Sequence, residues 1–396
     1  MAIVLNANPG SYFSAHEDLI FVAYEATKAT DPNTYVDYKY VCDVFINGTR
    51  QARLKAVPNP SNYRGIFNIG TIVRDYIEAT FAPTLGGIRA DQLGSGEFYV
   101  EVQCKFGEEY NSVLYTNVLE DSTRRYYNHV NGRLTDGSLS ILSGYADKPI
   151  TNRPLQNYVG LSDTALFIPY WPTDADQITV QVKTYGSSGL IATNTANFTP
   201  SAADVCQLFN VAPAAINGTI SNAITAAVDY YTVEFLTPNI TGESVYRFDI
   251  VCEPKYEAVN VVFLNRLGGY ESYAMRKVSK RKYQVEKKEF RQNRYSVSDA
   301  GAVVYQSSGV YREQIKTYAS QWREQLLAYS DVLTDAEHEW LFELVASPEI
   351  YIQFGSYFVP ARIKTTNYEP KLYDTDDLQP LEVTFDYSDV QNTQYR

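Results

Sequence analysis

A chain of 396 residues is too long for one ordinary core, and an apolar fraction of 45% is too high for wholesale disorder, so two or three globular domains are expected. The formal net charge is −12, so any grip on nucleic acid would have to come from a local basic patch. No apolar run approaches the roughly 20 residues of a transmembrane helix, and "MAIVLNANPGSYFSAHEDL" lacks the basic and apolar regions of a signal peptide, which points to a protein made in a cytoplasm with no membrane insertion.

The 34 Tyr nearly double the 18 Phe, and tyrosine suits half-buried strands and subunit contacts because its large apolar ring ends in a polar tip. Strand-like segments dominate the first two-thirds: "DLIFVAYEA", "YVDYKYVCDVFI", "EFYVEVQCKF", "DQITVQVKTY", "DYYTVEFL" and "SVYRFDIVCE". They are short, rich in Val, Ile, Tyr and Phe, and bounded by turn residues, the pattern of antiparallel sheets. The expected fold is mainly β: tandem antiparallel sandwich- or barrel-like domains with a few short helices. Cys42, Cys104, Cys206 and Cys252 lie far apart among apolar neighbours and read as small buried thiols.

Three helices are predicted. In "NIGTIVRDYIEA", Ile69, Ile72, Val73 and Tyr76 form one apolar stripe. "SAADVCQLF" reads as a second helix, opened by Ser201. In "LTDAEHEWLFELVASPE", Thr334 and Glu337 have capping-box spacing, Trp340, Leu341, Leu344 and Val345 make the buried face, and Pro348 stops the helix. The first two helices, each followed by a strand, suggest an internal repeat of two related domains, 1–150 and 151–255, with "SGYADKPITNRPLQNY" as linker. A third domain, 256–396, opens with "VNVVFLNRLGGYESYAMRKV", two strands about Gly268-Gly269.

One strip departs from the acidic background. Arg276 to Arg294 holds nine Lys or Arg against two Glu, a balance of +7 that leaves −19 for the rest. Tyr283 and Val285 alternate with Lys282, Gln284 and Glu286, so the strip reads as a β-arm with one face able to pack and charge on the other. The favoured use is contact with an acidic protein surface, through Arg276, Lys277, Lys280, Arg281, Lys282, Tyr283, Lys287, Lys288, Arg291 and Arg294. A solvated edge strand and a nucleic-acid grip are the competing readings.

Catalytic constellations are sparse. His338-Glu339 resembles the start of a zinc-protease helix, but Phe342 occupies the place of the second ligand. Asp374, Asp376 and Asp377, and Asp174 with Asp176, could cradle Ca²⁺ but read better as acidic turns. No catalytic residue, cofactor or metal is expected.

"FLNRLGGYESYAM", the closing block "SPEIYIQFGSYFVPARIKTTNYEPKLYDTDDLQPLEVTFDYSDVQNTQYR" and "FNIGTIVRDYI" resemble virion proteins of tailed bacteriophages that infect Bacteroidota, including crAss-like phages. The resemblance implies a non-enzymatic tail-hub or ring protein, in a sixfold or twelvefold homo-oligomer around the DNA path, docking other neck and tail proteins. A receptor- or glycan-binding module and a virion-borne polysaccharide depolymerase are the alternatives.

Overall fold

A computed structural model of the chain describes residues 3–10, 12–130, 141–238, 244–251, 257–307, 309–311, 313–364, 380–388 and 391–392. The fold is mainly β, made of several antiparallel sheets with three short helices among the described residues: α1 (Gly70–Arg74), α2 (Pro213–Thr219) and α3 (Asp335–Ala346). One strand pair, Gln156–Gly160 beside Val245–Val251, is parallel.

The chain divides into two compact units, Met1–Glu253 with Val262–Tyr273, and Pro254–Val261 with Ala274–Arg396. The expected boundary near residue 150 is therefore corrected. Strand Arg89–Leu93 pairs with Cys206–Asn210, so segments from both sides of that position share one sheet. The boundary near 256 is crossed twice, because the tip of the hairpin about Gly268 belongs to the first unit.

Two apolar cores do exist inside the first unit. One is built from residues between Ile3 and Tyr126, including Phe21, Tyr40, Val44, Phe67 and Phe106. The other joins Ile168, Tyr170 and Phe209 to Val180, Val182, Tyr231, Val233, Phe235 and Phe248. In Ile178–Gly186 and Tyr230–Leu236 alternate residues are buried, as one face of a sheet packed on another requires.

The helices fell partly elsewhere. α1 is a single turn that buries Gly70 and Val73; Ile69 before it and Ile77 after it are also buried, while Tyr76 is exposed. At Gly70 a Cβ would come within 2.4 Å of the Glu17 carbonyl oxygen, a close approach that only glycine allows. "VCQLF" is no helix. Cys206–Asn210 is a strand buried at every position, and α2 begins after it with Pro213 in its first turn. A short, continuously apolar run suits a strand buried on both faces as well as a helix, and periodicity cannot separate them. The supposed repeat loses its matching helices with that correction.

The expected linker is also buried in part. Ile150, Thr151 and Arg153 are in the interior, and Arg153 lies 3% exposed beside Glu271 at 0%, with Nε 3.8 Å from Oε2. Burial lowers the Arg153 pKa, against which the Glu271 charge acts. Arg153 also donates to the Ser272 and Phe167 carbonyl oxygens, and Phe167 N–H donates to Ser272 Oγ at 2.8 Å. Asn265 Nδ2 donates to Glu271 Oε1 at 2.5 Å and to the Ile150 carbonyl at 2.7 Å. Its Oδ1 accepts the backbone N–H of Leu267 and of Gly269, each at 3.0 Å, closing the turn. Gly268 sits at φ +86°, and its missing Cβ would fall 1.9 Å from the Asn128 carbonyl oxygen. The hairpin tip is thus held from inside.

In the second unit, strands Ile350–Phe354, Tyr357–Ile363, Pro380–Tyr387, Ile315–Val332 and Lys280–Arg291 follow one another in that order across the sheet. Its interior includes Leu326, Ala328, Ile352, Val383 and Phe385 with Trp340, Leu341 and Leu344 of α3. The capping box forms as expected: Thr334 Oγ1 accepts Glu337 N–H at 3.4 Å, and Glu337 Oε2 accepts Thr334 N–H at 2.8 Å.

Glu271→Leu leaves the Arg153 charge buried without its counter-ion and is expected to cost about 3–5 kcal/mol in urea unfolding. Adding Arg153→Met should recover much of that loss; a double variant no more stable than the single one would show that the charge is not its source. Thr334→Ala should lower stability by about 1 kcal/mol through the lost cap, read as a lower thermal midpoint with an unchanged fold.

A candidate assembly arm

Strand Lys280–Arg291 pairs antiparallel with Ile315–Val332 along its whole length, from Lys280↔Leu327 to Arg291↔Ile315, with a bulge between Lys288 and Glu289. Among the described residues it is the outermost strand of its sheet, with no strand on its other edge. The 18-residue partner strand changes neighbours along its course. From Gln325 to Val332 it also pairs with Pro380–Tyr387, and at Gln321 and Trp322 with Gln391–Asn392. From Ile315 to Ser320 its only strand neighbour among the described residues is Lys287–Arg291. This stretch is a two-stranded ribbon about 20 Å long at ~3.3 Å per residue.

Beyond the ribbon the chain forms two small ladders, Ser296–Val297 with Val303–Val304 and Gln306–Ser307 with Val310–Tyr311. Gln292 closes the neck, its N–H donating to the Gln314 carbonyl and its side-chain amide to the Glu313 carbonyl, each at 2.8 Å.

Every residue of Lys280–Arg291 is exposed. Neither face of the strand is covered by the described residues of the single chain. Tyr283 and Val285 are each 53% exposed, and Trp322, directly across from Val285, meets the Tyr283 ring at 5.5 Å. Phe290 and Tyr318 are exposed and adjacent, with ring centroids 6.2 Å apart. At the tip Tyr295, Val297, Val303 and Tyr305 are all exposed. Nothing in the sequence singles out these tip residues or the partner strand, because "IKTYASQWREQLLAYSDV" follows no clean period of two.

Of the ten residues expected to make contact, Lys280, Arg281, Lys282, Tyr283, Lys287, Lys288 and Arg291 lie on the exposed strand, and Arg294 is exposed just after it. Arg276 does not join them, since it is only 9% exposed, and Lys277 is half-buried. Arg281 Nε lies 3.6 Å from Glu324 Oε1. Burial, with the Glu324 charge adding to it, pushes the neighbouring Tyr387 hydroxyl up to about 12, so the phenol stays neutral beside that pair. Lys280, Lys282, Lys287 and Lys288 form no ion pair with any described residue. Residues alternate sides along a strand, so Lys280, Lys282 and Lys288 point to one face and Arg281 and Lys287 to the other. No single cationic groove results, and a phosphate backbone would meet only part of the charge.

Other sequence candidates lead nowhere comparable. Asp176 N–H donates to Asp174 Oδ1 at 2.9 Å, an acidic turn satisfying its own backbone. Asp374, Asp376 and Asp377, like Cys252, lie outside the described residues. No cluster of three His, Cys, Asp or Glu suited to a metal occurs among the described residues. Cys42, Cys104 and Cys206 are buried; hydrogen bonding with Cys104 and burial push the Cys42 thiol up, and burial, with the Asp91 charge adding to it, pushes up Cys206. No helix among the described residues is long and apolar enough to cross a membrane.

Because the strip is exposed, reversing Lys280, Lys282, Lys287 and Lys288 to Glu should change folding stability by no more than about 0.5 kcal/mol, measured by thermal or urea unfolding. The unaltered protein should not be retained on duplex DNA at about 0.15 M salt. Retention that the four reversals abolish would make the arm a nucleic-acid grip instead.

No protein-family model matches the chain, and no curated protein is similar to it.

Proposed function

We propose that this chain is a non-enzymatic structural component of a phage tail or neck, a tail-hub or ring protein. It oligomerises around the DNA path and docks neighbouring virion proteins, being made in the host cytoplasm and carried in the virion. The observation that supports this reading is the exposed strand Lys280–Arg291, with the two-stranded ribbon of Lys287–Arg291 and Ile315–Ser320 and its tip. A two-stranded ribbon has no second layer to bury its own apolar side chains, and one standing alone in water is marginal at best. Tyr283, Val285, Phe290, Tyr295, Val297, Val303, Tyr305, Ile315 and Tyr318 are all exposed there. A concentration of apolar surface on one projecting element marks a place that another surface covers.

The charge distribution supports the same reading. The exposed strip Lys280–Arg294 carries +5 and the remainder −17, so unlike surfaces of two copies attract and set register. An acidic remainder would also suit a passage that duplex DNA must slide through without sticking. The family resemblance of the hairpin and the closing block adds a ring of sixfold or twelvefold symmetry to this reading. Assembly would add stability to each subunit by mass action, so the ribbon need not be stable in isolation.

Native mass spectrometry and two-dimensional class averages across rising protein concentration test it. The expected species is a closed ring whose population grows with concentration. A chain that stays monomeric at every concentration, or one whose monomer cleaves a polysaccharide, overturns the reading.

A further inference from the structure

We propose that the strand Gly189–Phe198 pairs edge to edge with the same strand of a second copy, about a two-fold axis through Asn194. The strand closes one side of a five-stranded sheet in the first unit, where Ile178–Gly186 is its neighbour and no described strand lies beyond it. Proteins block such edges with charge, proline, bulges or short length, because an open edge is a template for another strand. Among the described residues four edge strands have eight residues or more: Thr49–Ala56, Val113–Glu120, Gly189–Phe198 and Lys280–Arg291. The first carries Arg50, Arg53 and Lys55, and the last is the basic strip. The second holds Glu120 and breaks register around Asn117, which sits at φ +58°. Gly189–Phe198 has no charged residue and no proline, in a chain of which 20% is charged. From Ala192 to Phe198 its ladder with Ile178–Thr184 runs residue for residue, and the one shift lies outside that stretch, at Tyr185. This edge alone is long, regular and unprotected.

The sequence of the edge names its occupant. Residues 192–196 read Ala-Thr-Asn-Thr-Ala, the same in both directions. In an antiparallel pair centred on Asn194, Thr193 of each copy faces Thr195 of the other, Ala192 faces Ala196, and Asn194 faces itself. Threonine opposite threonine is a favourable cross-strand pair, and small alanines obstruct nothing. Thr193 and Thr195 are exposed, and the side chains of Thr193, Asn194 and Thr195 form no hydrogen bond with any described residue. Ala196 and Phe198 pack on the apolar core, so the strand is anchored from below while its outer edge stays open.

Electrostatics favour the same edge. Two copies of a chain of net charge −12 repel, and the repulsion is least where neither brings a charge. Lys183, the register partner of Thr193, is already paired with Glu234 at 3.7 Å. Association through this edge therefore holds or strengthens as salt rises, whereas a basic arm on an acidic surface weakens. The contact is isologous and independent of the arm; it joins two copies, or two rings face to face.

The test uses the full chain, with sedimentation velocity at about 0.05 M and about 0.5 M salt. The unaltered chain should form a two-fold associated species that salt does not weaken. Thr193→Lys with Thr195→Lys sets lysine against lysine twice and should weaken association at least about tenfold. Thr193→Lys with Thr195→Glu sets opposite charges face to face in this register alone, and should associate at least as well as the unaltered chain. Asn194→Cys should give a dimer under mild oxidation that reductant cleaves and that the unaltered chain does not give, because facing residues lie about 4.5–5.5 Å apart, within disulfide reach. Circular dichroism confirms folding; should the double-lysine form unfold, the Lys/Glu form and the cross-link still decide. Association that the double-lysine form leaves unchanged, or that both double variants weaken alike without a cross-link at residue 194, overturns the proposal. Rings that form with none of these effects remove the edge contact and leave the ring reading standing. A chain that never associates removes both.

Discussion

The strand Ile315–Val332 runs through two environments. From Gln325 to Leu327 it is flanked on both sides, and it buries Leu326 and Ala328, while its first residues have Lys287–Arg291 as their one neighbouring strand among the described residues. Burial of apolar surface is what repays the entropy of ordering a chain, and a ribbon one layer thick offers almost none. The arm is therefore an element whose apolar side chains the described residues of the single chain leave exposed. Its lysines without local counter-ions and its aromatic rings at about half exposure follow from the same deficit.

The first unit shows the opposite economy. Its interior holds Arg153 and Glu271 together, tied to Asn265, Ser272 and the backbone of the Gly268 turn. An ion pair that deep gives little net stability compared with apolar residues of the same shape, but it penalises every arrangement in which one partner is left alone. The hairpin tip of residues 262–273 reaches this network only when the segment around Arg153 is in place, so two parts of the chain more than 100 residues apart order each other.

Much of the architecture was legible in the residues. Alternating Val, Ile, Tyr and Phe with turn residues between them announced antiparallel sheets, Thr334 and Glu337 announced the start of α3, and Gly268-Gly269 announced the turn. The failures share a cause. "VCQLF" is apolar at every place because the sheet covers it on both faces, and a run without polar residues has no period to read. "KPITNRPLQNY" looked like a linker by its Pro and Asn, yet those residues line a buried segment whose polar groups are answered by a distant hairpin. The candidate arm was found by charge alone, whereas its apolar tip at Tyr295–Tyr305 and its partner strand were not, since neither carries unusual charge or clean alternation.

Local chemistry therefore determined what could be decided within a few residues: the β class, the cap of α3, the glycine turn and the basic strand as a strand. Which residues are buried, which strands are neighbours and which faces remain open were decided only by the tertiary structure. The physical reason is that water is excluded by whatever comes from elsewhere in the chain, and no stretch of sequence contains its own covering layer. Tyr283 and Tyr231 are both strand tyrosines flanked by polar residues; one is 53% exposed and the other 0%, and only the second has a sheet above it.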